Sequence, residues 1–339
     1  MNKFQKLKSK NGNELILLVI FVALFILMSI LSPGKFLSVT NLQTMAFQMP
    51  EFGLMAIAMM IAVLTKGINL SIITGSTLAS IIAGYFMTTE FAQNNAVVAV
   101  ILAVCISLLI AALTGVINGT IIAYIGVAPM LVTLGTKMLF EGLGLQFTKG
   151  GSVSGFPLLF GEIGNGSVAG IPYTIIIYAV IVVLSYFLFE RSKWGTEVYM
   201  IGCNETATRF SGINTKRVLM KVYIYSGVMA GISGILISSR YCSAKTDYGS
   251  SYLMQALTAV VLGGTSIAGG FGTVAGTVIA VGIVQVISTG LNVFGINRYI
   301  INIITGGILI AVLIIRYVSG KISDQKKIKA RNAEAQKAA

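Results

Sequence analysis

The chain has 339 residues, 55% hydrophobic and 10% charged, with 24 Lys and Arg against 11 Asp and Glu, for a formal net charge of +13. Soluble domains carry about 25% charged residues, so this composition, with a mean hydropathy of +0.88, excludes an ordinary soluble enzyme and points to the membrane. The absence of histidine removes His-based triads, His metal sites and imidazole relays, and the positive charge sits in short loops and tails rather than in a basic patch with interleaved aromatics, so no nucleic-acid partner is expected.

A bilayer-spanning helix needs about 20 mostly apolar residues. Ten such stretches follow one another, at 15–32, 47–64, 68–87, 96–118, 127–147, 171–189, 219–239, 253–269, 273–291 and 299–317. The first follows Lys3, Lys6, Lys8 and Lys10 and resembles a signal peptide, but no A-x-A site follows it, so it is expected to remain as a first helix. The expected fold is all-α: a polytopic integral membrane protein of about ten transmembrane helices. Its parts are a basic amino-terminal segment (1–14), a membrane region (15–318) interrupted by a polar segment (190–218), and a basic tail (319–339).

Charge orients these spans. Ten crossings put both termini on one side, and with that side inside, eighteen Lys/Arg fall in internal segments against five outside: Lys35, Lys149, Arg240, Lys245 and Arg298. Such an excess is the positive-inside pattern, so both termini are expected in the cytoplasm. Cys105, Cys203 and Cys242 form no C-x-x-C and read as isolated small residues.

Residues 65–83 (TKGINLSIITGSTLASIIA) and 263–280 (GGTSIAGGFGTVAGTVIA) echo each other: Gly-rich, polar-flecked residues lead into a small-residue helix. Duplicated halves with interrupted helices produce such an echo, and so does small-residue helix packing. No Walker A sequence is present, so a P-loop ATP site is not expected on this chain. Gly270-Phe271-Gly272 has part of a dinucleotide fingerprint but no strand before it, so a tight turn or helix packing is the better reading. Lys137 and Glu141 stand four apart within a span. They can pair, and ionisable groups in a bilayer face a bundle interior or a path.

The internal segment 190–218 reads ERSKWGTEVYMIGCNETATRFSGINTKRV. Its glycines punctuate a polar stretch suited to a short helix along the membrane face, or to a plain solvated connector. Its core, GCNETATRFSGI at 202–213, resembles the coupling loop of the permease subunits of ribose/xylose/galactose-type ABC importers. KGINLSIITGSTLA (66–79), GVINGTIIA (115–123), the Thr133-Leu134 and Thr148-Lys149-Gly150 steps, and AVVLGGTSIAGGFGTVAG (259–276) are similar to that family's segments in the same order. The resemblance covers about residues 15–318. Asn69 stands where the family's segment has an acid, about two residues are added before Gly75-Ser76, and Glu141 stands where relatives usually carry a basic residue, so the solute stays open among monosaccharides, nucleosides and autoinducer-like furanoses. The matched segments fit branched-chain amino acids less well.

The resemblance implies a machine of several chains. A second permease copy, most simply a homodimer, forms the path. A cytoplasmic ATPase holding ATP and Mg docks on the internal loop, an external solute-binding protein delivers the solute, and this chain binds no cofactor itself. It further implies a place in a bacterial cytoplasmic membrane. Gly195, Gly202, Asn204, Glu205, Ala207 and Gly212 are the candidates for the ATPase-coupling loop. Asn69, Ser71, Ser76, Asn118, Thr133, Lys137, Glu141, Thr265 and Ser266 are the candidates for the translocation path. The competing reading is an ion-coupled secondary transporter or channel, which needs intramembrane acids or histidines; Glu141 is the one acid this reading places clearly in a span. An intramembrane enzyme lacks a visible nucleophile–base pair.

Overall fold

The computed structural model describes residues 3–297 and 299–314, with side chains from Glu14 onward. The tail 319–339 lies outside the described residues. The main helices are α1 (Lys3–Leu31), α2 (Val39–Leu64), α3 (Ile72–Met87), α4 (Ala96–Thr120, continued by a π-helical turn Ile121–Ile125), α5 (Pro129–Thr148) and α6 (Tyr173–Tyr186). They continue with α7 (Lys193–Cys203), α8 (Glu205–Phe210), α9 (Thr215–Tyr241), α10 (Tyr252–Leu262) and α11 (Val274–Val293), then α12 (Tyr299–Ile314). Each of the ten predicted spans holds a helix over part or all of its described residues; 315–317 of the last lie outside them. Among the described residues, six helices are long and apolar enough to cross a membrane: α1, α2, α4, α6, α9 and α11.

Lipid inverts the usual sorting of helices. The windows of α2 and α9 are 83% and 78% buried, whereas those of α1 and α4, the most apolar of the set, are 11% and 28% buried. Acyl chains accept leucine and valine as readily as a protein interior does, so the most apolar helices face outward and those with small and polar residues gather inside. Every residue of α2 from Pro50 to Leu64 is buried, as expected of a helix apolar all round. Glycines set how closely its neighbours approach. A Cβ on Gly115 of α4 would strike the Tyr223 carbonyl of α9, and one on Gly227 would strike the Ala111 carbonyl, so these two helices touch backbone to backbone.

Two predicted spans are corrected. Span 253–269 is helical only to Leu262, and span 68–87 starts its helix at Ile72. Residues 263–273 and 65–71 are breaks, because the chain turns left-handed at Gly264, Gly269, Gly270 and Lys66 (φ 103°, 80°, 74° and 63°), which ends a right-handed helix. The two echoed segments thus share one form: a helix end, a break, then a helix of small residues. The chain also gathers its loops at two ends. Lys66, α7 and residues 263–273 meet at one end. At the other, Val153–Ser154 pairs antiparallel with Ser243–Ala244, Val153 opposite Ala244, which brings Lys149 and Lys245 to the same end as Arg240.

Candidate coupling junction

The polar segment 190–218 folds into two short helices because its polar side chains cap them. Ser192 accepts from Gly195 N at 3.0 Å, Asn204 from Ala207 N at 3.0 Å, and Asn214 from Arg217 N at 3.1 Å. Each satisfies a backbone donor that a helix start leaves free. Asn204 is extended (φ −159°, ψ 104°) and forms the elbow between α7 and α8. Gly212 (φ 82°) turns the chain back into α9.

This helix pair is seated on both breaks at once. A Cβ on Gly202 would collide with the Leu64 carbonyl and the Gly270 nitrogen, and one on Gly195 with the Phe189 carbonyl, so no other residue fits either contact. Gly270 N donates to Leu64 O at 2.9 Å and joins the two breaks to each other. Tyr199 donates its hydroxyl to Gly272 O at 2.9 Å, and Lys66 Nζ donates to Cys203 O at 3.3 Å. Burial, with the Glu190 charge second, pushes the Tyr199 pKa up, so this donor keeps its proton at every physiological pH. α7 thus touches the end of α2 and both breaks, through the backbone at Gly202 and through the Tyr199 and Lys66 side chains.

The outward face of α8 is open. Asn204, Glu205, Ala207 and Arg209 are exposed, and Phe210 projects with 82% of its surface free. A cavity of about 830 Å³ opens beside it, bounded by Lys66, Glu205, Arg209, Lys216 and the turn from α4 to α5. Of the coupling candidates, Gly195 and Gly202 are thus internal contacts, Asn204 and Gly212 shape the chain, and Glu205 and Ala207 are presented outward. Tyr199, Lys66 and Phe210 were not among the coupling candidates read from sequence, and Gly270, read there as part of a tight turn or helix packing, is a left-handed turn residue (φ 74°) against Cys203. The Gly-Gly step at 269–270 was visible, but not what it touches.

The path candidates separate into four groups. Asn69, Ser71, Asn118 and Thr133 belong to one buried network. Asn69 Nδ2 donates to Ser226 Oγ at 3.0 Å, Ser71 Oγ to Asn69 Oδ1 at 2.8 Å, Asn118 Nδ2 to Ser71 Oγ at 2.8 Å, and Thr136 Oγ1 to Asn118 Oδ1 at 2.7 Å. Ser226 ends the chain on Ala58 O at 2.7 Å, and Thr133 donates to Ile68 O at 2.7 Å. The network ties α2, the 65–71 break, α4, α5 and α9 together, satisfying polar groups that hydrocarbon would leave bare. Ser76 bonds back to Ile73 O within α3. Thr265 and Ser266 sit in the second break, where Thr265 Oγ1 is buried and, among the described residues, has no partner.

Lys137 and Glu141 form the fourth group. Lys137 is half-buried and Glu141 exposed, and no ion pair joins them among the described residues. They lie away from the buried stripe of α5, which is Val132, Thr133, Thr136, Phe140 and Gly144. Gly135 and Gly142, farther round the helix, have nothing within 4 Å of an added Cβ, so the side of α5 away from its buried stripe is open within the chain.

Two readings of charge need correction. Arg240 is not a loop charge: it closes α9 and turns inward to Glu51 of α2, its Nη2 donating to Glu51 Oε2 at 2.9 Å and its Nε to Oε1. Tyr252 of α10 adds a third donor at 2.8 Å. Glu51 is fully buried inside the predicted span 47–64, so Glu141 is not the one intramembrane acid.

A lipid-facing shell around polar, interrupted helices, with a loop-borne helix pair locked onto the interruptions, defines a polytopic membrane permease. The chain belongs to the family described as branched-chain amino acid transport system / permease component, which matches residues 41–313. It is similar to the autoinducer 2 import system permease protein LsrD of Yersinia enterocolitica serotype O:8 / biotype 1B, at 34% identity over 288 residues, 82% of this chain and 85% of that protein. The proteins of the same name from Yersinia pestis (strain Pestoides F) and Yersinia pseudotuberculosis serotype O:1b (strain IP 31758) are each 34% identical over 314 residues, 91% of this chain and 92% of theirs. No solved structure matches. The protein is a multi-pass component of the cytoplasmic membrane.

Proposed function

We propose that this chain is the membrane-spanning subunit of an ATP-driven importer for a small, uncharged, sugar-like solute. Ten helices cross the bilayer with both termini in the cytoplasm, and a separate ATPase holding ATP and Mg docks on α7 and α8. The observation that carries this reading is the seating of Gly202 against Leu64 and Gly270. An element that protrudes from the bundle and touches two helix breaks by backbone is built to transmit force. The absence of a Walker A sequence fits a chain that receives a stroke generated elsewhere, and the collection of Lys66 and the α7–α9 basic residues at one end fits a cytoplasmic face.

The open face of α5 supports a second copy. A carboxylate at bilayer depth costs several kcal/mol unless it faces protein or water, and Glu141 is exposed in the single chain. Two chains opposed across a water-filled path would give Lys137 and Glu141 such surroundings. An extracytoplasmic solute-binding protein delivers the solute to that path. The relatives' names, autoinducer 2 import system permease proteins, favour an autoinducer 2-like solute over a branched-chain amino acid.

Affinity purification of the tagged chain from its native membrane in mild detergent should recover a protein with nucleotide-binding domains, and the co-reconstituted pair should take up solute with ATP. Gly202→Val should still insert and be purified but should lose at least about tenfold of that uptake, since backbone atoms cannot yield to a new side chain. A chain that purifies alone and moves solute down an ion gradient without ATP would overturn the reading.

A further inference from the structure

At the end of the bundle opposite the coupling junction, α2, α10, α11 and α12 enclose a cavity of about 190 Å³. α9 alone separates the two ends by about 40 Å, at 1.5 Å for each of its 27 residues. The cavity wall is unlike the rest of this apolar chain: Gln48, Gln255, Gln285, Ser288, Thr289 and Asn302 face it. Gln255 and Gln285 are buried, at 8% and 4% exposure. Gln285 Nε2 donates to Thr289 Oγ1 at 2.9 Å, and Gln255 lines both this cavity and the space beside it. A larger space of about 650 Å³ adjoins it and shares Ser251, Gln255 and Asn302, so the cavity has an approach.

The electrostatics narrow the occupant. Arg240 and Tyr252 also line the wall, and both are turned onto Glu51, so the one described cation there is neutralised from within the fold. What remains is a set of amides and hydroxyls, each able both to donate and to accept. An acyl chain would strip these groups of water and give them no hydrogen-bond partner in return. Among the described residues, an anion would find no free cation there. A hydroxyl-rich neutral molecule matches every group.

We propose that this cavity binds a small, uncharged, polyhydroxylated solute, with Gln255 and Gln285 as its recognition residues. That the solute is also the transported one rests on the import reading above; the binding itself does not. The site shares α2, α10 and α11 with the coupling junction, so movement of the two breaks would reshape it.

The test uses the full chain in lipid nanodiscs, with Cys105→Ala, Cys203→Ser and Cys242→Ser as background and Ser288→Cys as reporter. Labelling by a water-soluble maleimide is timed with ribose, sorbitol or gluconate present. Ribose or sorbitol should slow labelling and gluconate should not. Protection should need about tenfold more sugar in Gln255→Leu and Gln285→Leu, and likewise in Asn302→Leu, whose exposed position keeps a folded variant in hand. Labelling indifferent to all three probes would mean that water alone fills the cavity, and equal protection by gluconate would overturn the neutral assignment. Protection unchanged in the glutamine variants would overturn those residues as the recognition groups. Uptake by the same chain with its ATPase separates the two ideas. ATP-driven uptake without protection sinks the cavity alone, and protection without ATP-driven uptake sinks the import reading alone.

Discussion

Lys66 occupies a backbone conformation that glycine would hold more comfortably. Its φ of 63° lies in the left-handed region, which costs a side-chain-bearing residue about 1 kcal/mol. The chain gains from the lysine a bond from Nζ to Cys203 O that glycine lacks. Lys66→Gly should therefore leave thermal stability unchanged or raised by about 0.5–1 kcal/mol while ATP-driven uptake falls; equal uptake would remove this bond from the transmission route. Glu51 makes the opposite kind of case, since its worth lies in its partners. Glu51→Leu leaves Arg240 buried without a counter-charge and should cost about 3–5 kcal/mol, whereas Glu51→Leu with Arg240→Met should recover most of that loss. Thermal unfolding in one detergent decides between them.

At the scale of elements, α5 shows how one helix divides its duties. One stripe packs through Thr133 and Thr136 into the buried network, and the other carries Glu141 among open glycines. Glu141→Gln should change the stability of the detergent-solubilised chain by no more than about 0.5 kcal/mol, as expected of an exposed position, yet should lower uptake severalfold if the face lines the path. A large loss of stability would instead place Glu141 in a structural contact. The i, i+4 spacing with Lys137 was legible from sequence, but spacing on a helix says that two residues can meet, not that they do. Here the two breaks show the same limit: glycines marked them, while the end of α10 at Leu262 emerged only where Gly263 packs against Gly276 of α11.

At the scale of the whole molecule, the native cysteines report its orientation. Cys203 ends α7 at the coupling junction, Cys242 follows α9 at the opposite end, and both are exposed. Cys105 is exposed in the middle of α4, a helix apolar enough to cross a membrane. An impermeant maleimide applied to intact cells should label Cys242 and spare Cys203 and Cys105, and everted vesicles should give Cys203 instead. The reverse pattern would turn the importer's coupling face outward and sink the cytoplasmic docking of an ATPase.

The membrane class, the apolar stretches that become helices and the polar internal segment between them were legible in the sequence itself. Each depends on composition or on residues close together in the chain, and a bilayer enforces such local properties strictly, because backbone in hydrocarbon must satisfy itself. The tertiary structure decided what those properties could not: that Gly202 meets Leu64 and Gly270, that Arg240 reaches back to Glu51, and that Asn69, Ser71 and Asn118 bond to one another. Most of these contacts join residues far apart in sequence, and in lipid no gradient of apolarity points inward to foretell them. Packing of small residues and pairing of polar ones choose the partners, and that choice exists only once the helices have met.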